Sequence, residues 1–349
     1  MTNWETKIIH NEFTIRQALG LLDKLGIESN VIFVVDDSKI LLGSITDGDI
    51  RRGLLRNGEL DDSVTTVMNE GCKRVVNYHL DSAFIKMCRE LGITYVPVVD
   101  DAQHIIDITN INEYREIVAA EAVIMAGGKG ERLMPLTKDT PKPMLKVGNK
   151  PILEYNIDHL QKFGIRNIHI TINYLGNQIQ EYFKDGSARS LNIKYVQEDK
   201  PLGTIGSISL IPEFEEDYIL LMNSDLLTNI DFGDFFKEFV KSGADMGVAT
   251  IPHHVDLPYA ILELQDSSVT SLKEKPRYTY FANAGIYFIK KELLQVIPKG
   301  SFYNATDLME KLLQESKKLF HYPILGYWLD IGRINDFFKA QEDVKHIYW

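Results

Sequence analysis

The amino-acid sequence predicts an α/β protein in which a mixed, mainly parallel sheet is preceded by a smaller α+β unit. Three observations carry that expectation. From Ala122 onward apolar strand patterns alternate with helical ones, which argues a sheet with helices on both faces and ligands at the carboxyl ends of its strands. Before Ala119 the chain repeats itself. Between the two, an apolar strand runs into a loop rich in glycine and cations. The expected units are residues 1–118 and 119–349.

Composition narrows the function classes. With 349 residues, 44% hydrophobic and 25% charged, the chain is globular and long enough for two domains. A net charge of −11 argues against nucleic acid or an anionic membrane as partner, so any phosphate ligand needs a local cationic pocket. Cys72 and Cys88 have no metal-type spacing and read as reduced thiols of a cytoplasmic protein. The first twelve residues hold no apolar run of signal length, and no segment approaches the ~18 apolar residues of a membrane span.

In the first third, Val34-Val35-Asp36-Asp37 recurs as Val98-Val99-Asp100-Asp101, and Ile45-Thr46 recurs as Ile108-Thr109, an offset of 64 shrinking to 63. Each copy opens with an amphipathic helix, Ile15, Ala18, Leu19, Leu22 in one and Phe84, Met87, Cys88, Leu91 in the other. Leu25-Gly26-Ile27 and Leu91-Gly92-Ile93 end those helices, with glycine where a left-handed conformation is needed. Strands over Val31 to Val35 and Ile40 to Ile45 and a helix over Asp49 to Leu55 follow. The arrangement, and above all Gly43-Ser44-Ile45-Thr46-Asp47-Gly48-Asp49, resembles a tandem pair of CBS domains over roughly residues 5 to 118. The resemblance implies an adenine nucleotide whose phosphate meets Thr46 and whose ribose meets Asp49. A hydroxyl at a helix start suits an anion, and a carboxylate takes two sugar hydroxyls. Thr109 and Asn112 are the second copy's equivalents, weakened by Asp107 where the family usually has glycine. A pair used only for dimerisation is the competing expectation.

The stretch after Ala122 is the most informative. Val123 to Ala126 lead into Gly127 and Gly128, and Lys129, Arg132, Lys138, Lys142 and Lys146 then follow within eighteen residues. Glycine lets backbone N–H groups close on an anion, and the cations supply charge-assisted hydrogen bonds, so the loop suits a polyphosphate. A Walker A loop needs Gly-Lys followed by Ser or Thr, whereas Lys129 precedes Gly130; a dinucleotide fingerprint needs glycine where Leu133 stands. The run Gly127, Gly128, Gly130, Arg132, Leu133, then Pro135-Leu136-Thr137, then Pro141-Lys142-Pro143-Met144 resembles the signature of sugar-1-phosphate nucleotidyltransferases. That resemblance implies a Rossmann-like domain in which Ala126, Gly127, Gly128 and Gly130 meet the nucleotide and Arg132 and Lys142 the triphosphate. Glu131 departs from the family's usual Thr or Ser.

Further on, strands are expected at Asn167 to Ile172, Ile193 to Gln197 and Tyr218 to Met222, and helices near Ile152 to Phe163, Leu175 to Phe183 and Phe232 to Lys241. Motifs follow the strands. Gln197 and Glu198 open a loop that continues through Gly203 and Thr204 to Ser207, and in the resembling family this loop closes on the base. Asn223-Ser224-Asp225 occupies the slot of the family's metal aspartate, and Asp330 in Trp328-Leu329-Asp330-Ile331-Gly332 matches a second. Magnesium prefers one or two carboxylates plus phosphate oxygens, so the pair implies Mg²⁺. Glu274-Lys275-Pro276 and Asn283-Ala284-Gly285-Ile286-Tyr287 resemble the family's sugar-phosphate motifs, with Glu274, Lys275, Asn283 and Gly285 as the binding residues. Pro258-Tyr259-Ala260 stands where Tyr-Gly is usual.

The reaction implied joins an NTP to a sugar 1-phosphate, giving an NDP-sugar and pyrophosphate. The motif order resembles the guanylyltransferase branch, and a CBS pair ahead of such a domain resembles enzymes making GDP-sugars for surface or flagellar glycans, so the resemblance implies GTP, with UTP, dTTP and CTP as alternatives and a homo-oligomer as the expected assembly. An NDP-sugar-dependent glycosyltransferase would share the Asp225 motif without needing the glycine-rich loop, and a non-catalytic nucleotide sensor would lack the metal carboxylates. Adjacent His253 and His254 have no zinc spacing, no Gly-x-Ser-x-Gly elbow occurs, and Trp4 and Trp349 read as packing.

Overall fold

The computed structural model describes residues 4–26, 29–78 and 80–347; Ile27 and Trp349 lie outside them. The chain divides into two compact units, Met1–Arg115 and Glu116–Trp349.

The first unit is a structural repeat. β1 (Ile8–His10), α1 (Ile15–Leu25), β2 (Val31–Val35), β3 (Leu41–Thr46) and α2 (Asp47–Leu55) form one copy. β4 (Val75–Val76), α3 (Ser82–Glu90), β5 (Tyr95–Val99) and β6 (Ile105–Asn110) form the other. Each copy is a three-stranded sheet with one parallel and one antiparallel pairing. Gly26 and Gly92 take positive φ, 51° and 69°, past the helix ends, so the expected glycine stops are in place. The helical stripes differ in detail. Ile15, Ala18 and Leu22 are buried but Leu19 is exposed, and in α3 Ile85 and Cys88 are buried while Leu91 lies beyond the helix and is exposed. The copies also diverge at their ends, because a single 3₁₀ turn, Ile111–Glu113, stands where the first copy has α2. Trp4 packs on the cluster of Phe33, Val35 and Val99.

The second unit starts with β7 (Glu121–Ala126), the hairpin β8 (Lys146–Val147) and β9 (Lys150–Pro151), α4 (Ile152–Lys162), β10 (Asn167–Ile172), α5 (Gly176–Phe183), β11 (Asn192–Gln197), β12 (Tyr218–Asn223), β13 (Leu226–Thr228) and α6 (Phe232–Ser242). It continues with β14 (Met246–Asp256), β15 (Ile261–Gln265), β16 (Ser268–Lys273), β17 (Arg277–Lys290), α7 (Ala305–Gln314), β18 (Leu319–Pro323), β19 (Trp328–Asp330) and α8 (Ile334–Asp343). A seven-stranded sheet has the order β11-β10-β7-β12-β17-β14-β18, and only β17 runs against the others. This is the mixed, mainly parallel sheet that the alternating pattern predicts.

Strand alternation feeds two cores. Ala122, Ile124 and Ala126 face α4, α5 and α6 through Ile157, Phe163, Phe183 and Phe232. Val123, with Ile219, Leu221 and Ile289, faces Ile205, Ile208 and the α7 residues Leu308 and Leu312. Burial on both faces explains why β7 reads as a continuous apolar run. Beyond Ile251, β14 and β17 extend together and carry the β15–β16 hairpin, an arm on which Leu262, Leu264, Val269 and Leu272 are all exposed. No helix among the described residues is long and apolar enough to cross a membrane.

Candidate functional site

The site lies where β7, β11 and β12 end. The loop after Ala126 turns on Gly130, whose φ of 66° is left-handed and whose missing Cβ leaves room for Thr137 and Lys142, each 3.0 Å from that position. The Thr137 hydroxyl donates to the Gly130 carbonyl at 2.9 Å. Gly127 lies against a second neighbour, since a Cβ there would sit 2.8 Å from Glu198 Oε1. Gly128 faces open space, so its backbone is free to approach a ligand. Arg132 is exposed on the 3₁₀ turn Glu131–Leu133.

Lys142 is buried, and its ammonium pairs with Asp225 Oδ2. Asp225 follows β12, which the Ser224 N–H ties to the Met125 carbonyl at 3.3 Å. Asp330 comes from the other end of the unit. β19 pairs antiparallel with β13, placing Asp330 opposite Leu226, and the Ile331 N–H donates to the Asp225 carbonyl at 3.0 Å. Asp225 Oδ1 and Asp330 Oδ1 are buried with no hydrogen-bond partner among the described residues. Burial, and next the charge of Asp225, push the Asp330 carboxyl above the usual carboxylate range, against the lowering influence of Lys142 and Arg132. Among the described residues no group of three or more His, Cys, Asp or Glu side chains is arranged to hold a metal by itself. Two carboxylates with open oxygens suit a cation that completes its shell with phosphate oxygens and water, as Mg²⁺ does.

The loop after β11 forms one wall. Gln197 is exposed, while Glu198 is buried at 6% exposure and its carboxylate accepts the Leu202 N–H at 3.4 Å. Burial pushes the Glu198 carboxyl up, offset in part by the Leu202 N–H and the Ser207 and Thr171 hydroxyls. Gly203 and Thr204 lie against residues 303–305, where the Thr204 hydroxyl accepts the Ala305 N–H at 2.8 Å.

On the β17 side, Gly285 packs on Asn223, whose Nδ2 lies 2.5 Å from where a Cβ would be. Asn283 Oδ1 accepts the Gly285 N–H at 3.0 Å and Asn283 Nδ2 donates to the Tyr287 hydroxyl at 2.7 Å. Glu274 and Lys275 are exposed on the turn before β17, with several residues of extended arm between them and Asn283. Neither makes a hydrogen bond or ion pair among the described residues.

Thr46 and Asp49 in the first unit cap α2 reciprocally: the Thr46 hydroxyl donates to Asp49 Oδ2 at 2.6 Å, and Arg52 pairs with Asp49 Oδ1 at 2.6 Å. Thr109 is buried and its hydroxyl is 2.9 Å from that of Tyr114, while Asn112 is exposed.

The sequence names Thr137, Trp328 and Asn223 only as parts of motifs, without their roles, and one contributor, Asn304, lies outside every motif. Trp328 Nε1 donates to the Ala284 carbonyl at 3.0 Å, joining β19 to the Asn283–Gly285 turn. Asn223 supports Gly285, and Asn304 accepts the Thr204 N–H at 3.3 Å. Asn304 was findable as an Asn-x-x-Asp helix start before the apolar run of α7.

Comparison with known proteins is consistent with this geometry. The family model for nucleotidyl transferases matches residues 121–346. A D-glycero-alpha-D-manno-heptose 1-phosphate guanylyltransferase of Aneurinibacillus thermoaerophilus is 31% identical over 231 residues, 65% of this chain and 99% of the relative. A UTP–glucose-1-phosphate uridylyltransferase of Synechocystis is 28% identical over 240 residues, 63% of this chain, and there the match spans only 62% of the relative's length. A crystal structure from Bacillus anthracis, of a protein provisionally assigned as a glucose-1-phosphate thymidylyltransferase and bound to sucrose, shares the fold. Its TM-score is 0.54 at 22% identity, over 66% of this chain and 97% of that one.

Proposed function

The chain belongs to the nucleotidyl transferase family, among sugar-1-phosphate nucleotidyltransferases, and from that premise we propose that it condenses GTP with a sugar 1-phosphate to give a GDP-sugar and pyrophosphate. The observation that carries the proposal is the convergence of Lys142, Asp225 and Asp330 at the end of the sheet, beside a glycine-rich loop. A sugar phosphate oxygen is ionised at neutral pH, so no general base is required; the protein must hold two repelling polyanions in line and neutralise the α-phosphate and the leaving pyrophosphate. In this reading Arg132 and Lys142 meet the triphosphate, backbone groups of Ala126, Gly127, Gly128 and Gly130 line it, and Asp225 and Asp330 hold Mg²⁺. Bound there, the cation would supply charge neutralisation at the phosphates.

Base choice rests on Glu198. Guanine presents two adjacent donors, N1–H and N2–H, on its pairing edge, and a carboxylate accepts both at once. Uracil, thymine and cytosine each place an acceptor beside their donor and would meet the carboxylate less well. Gln197, Gly203 and Thr204 complete the base side. The heptose 1-phosphate guanylyltransferase relative supports GTP, and the uridylyltransferase relative keeps UTP, with dTTP and CTP, as the alternative within the family. Glu274, Lys275, Asn283 and Gly285 are assigned to the sugar phosphate. That places the first two on an arm that must approach the sheet when substrate binds.

The N-terminal repeat is proposed to be a CBS pair that binds an adenine nucleotide through Thr46 and Asp49 and regulates the transferase, in a cytoplasmic homo-oligomer making GDP-sugars for surface or flagellar glycans. Thr109 and Asn112 are the matching residues of the second copy. Incubation with GTP, Mg²⁺ and a panel of sugar 1-phosphates, followed by chromatography, tests the main proposal. A new GDP-sugar is the expected product, and its absence with every sugar 1-phosphate would overturn the proposal.

A further inference from the structure

The base-side loop and the start of α7 form a reciprocal lock. The Tyr303 N–H donates to the Leu202 carbonyl at 2.9 Å, and the Tyr303 carbonyl accepts the N–H groups of Ile205 and Gly206 at 3.0 and 3.1 Å. Asn304 Oδ1 accepts the Thr204 N–H at 3.3 Å, while the Thr204 hydroxyl accepts the first helical N–H, that of Ala305, at 2.8 Å. Each segment caps the other. The two glycines of the loop serve this contact, since a Cβ on Gly203 would sit 2.6 Å from the Tyr303 carbonyl oxygen and one on Gly206 would sit 2.3 Å from that of Ser301. Behind the lock, α7 is anchored by Ala305, Leu308 and Leu312 in the second core.

From this geometry we infer that Asn304, a hundred residues beyond Thr204 in sequence, is a positioning residue that presets the loop from Glu198 to Gly206 for the NTP. The inference rests on the nucleotidyltransferase reading of the same site. The loop is fixed at the buried Glu198 and Leu202 and, through Ile205 and Gly206, at the Tyr303 backbone, and Asn304 holds the exposed Thr204 between those anchors. Without the Asn304 acceptor, the Thr204 N–H loses its partner and the turn at residues 203–204 samples other conformations. Binding the base must then order the loop, which weakens affinity without touching the groups at the phosphates. Among the described residues Lys142, Asp225 and Asp330 make no hydrogen bond or ion pair with this turn, so turnover at saturation is retained.

The test compares Asn304→Ala with Asn304→Asp, which keeps the oxygen acceptor and the helix cap. In Asn304→Ala the KM for the NTP rises about three- to tenfold, the scale of one net hydrogen bond, while kcat and the KM for sugar 1-phosphate stay within about twofold of wild type. Amide hydrogen exchange in a peptide spanning residues 198–207 becomes faster. Asn304→Asp restores both readouts. An unchanged NTP KM, a fall in kcat alone, or no gain in exchange would overturn the positioning role. If wild type transforms no NTP and sugar pair, it is the transferase reading that fails. The exchange comparison, which needs no activity, then decides by itself whether Asn304 holds the loop.

Discussion

Asp225 and Asp330 lie together because the backbone makes them neighbours: the Ile331 N–H donates to the Asp225 carbonyl at 3.0 Å, and Leu226 pairs with Asp330 across β13 and β19. Each carboxylate keeps one buried oxygen without a hydrogen-bond partner among the described residues. Lys142 neutralises one side of the pair. The other side is where the proposed Mg²⁺ would be held.

Asp330 therefore carries a stability cost at neutral pH. Burial and the charge of Asp225 raise its carboxyl pKa, so the folded chain holds that proton more tightly than the unfolded chain does. The stability this gives is full below the ordinary Asp pKa and is lost as pH rises through the raised value, which leaves the ionised group unfavourable at neutral pH. Asp330→Asn is expected to raise the melting temperature at pH 7.5. It is expected to lower turnover by at least ~10²-fold. Calorimetry without Mg²⁺ should show the gain shrinking toward acid pH; a variant less stable than wild type at pH 7.5 contradicts this account.

Lys142→Ala removes a buried cation that the proposed function assigns to the triphosphate, and leaves Asp225 without its ion-pair partner. Turnover should fall by at least ~10²-fold, the scale of one preorganised charge-stabilising group. Steady-state kinetics at saturating substrates check it, and near wild-type kcat would sink the assignment.

Glu198→Gln replaces one of two acceptors by a donor. If Glu198 reads the two donors of guanine, kcat/KM for GTP should fall about 10- to 100-fold, as for loss of a bidentate base contact. The value for UTP should change little. Equal losses for both nucleotides would assign Glu198 to the frame of the loop instead.

Glu121, at the opposite end of β7, controls pH stability. It is 1% exposed and accepts from His169 at 3.1 Å, from the Glu216 N–H at 2.9 Å and from the Glu215 N–H. Burial alone would raise its pKa, but these hydrogen bonds outweigh it and hold the carboxyl below its usual value. Its stabilisation is thus full above the unfolded-state Glu pKa and lost as pH falls through the folded value. Glu121→Ala should cost about 3–5 kcal/mol at pH 7, because three buried donors lose their acceptor. Denaturant melts carried from pH 7 down through and below the usual Glu pKa should show the gap to wild type constant at first and narrowing only in that acid range; a gap that stays constant throughout would contradict the ionised carboxylate.

What was legible in the sequence was whatever lies close together along the chain. Gly127 to Lys142 fold back on themselves, so the contacts of Gly130 with Thr137 and Lys142 are local and their residue types announce them. β7 was readable because burial on both faces leaves an unbroken apolar run. Pairings at long separation were not readable from pattern. Asp225 and Asp330 were joined by resemblance, whereas Thr204 and Asn304 carried no such signal, since Thr and Asn are ordinary cap residues wherever they occur. Periodicity also overreached. Leu91 completes a helical stripe on paper, yet the chain leaves the helix at Glu90 and Leu91 faces solvent.

The most direct measurement is pyrophosphate release from each of the four NTPs with Mg²⁺ and a panel of sugar 1-phosphates, run in parallel on wild type and Asp225→Asn. The account predicts release from GTP with one sugar 1-phosphate, strict dependence on both substrates, and a loss of at least ~10²-fold in the variant. Release that needs no sugar phosphate, or that survives Asp225→Asn unchanged, would contradict it.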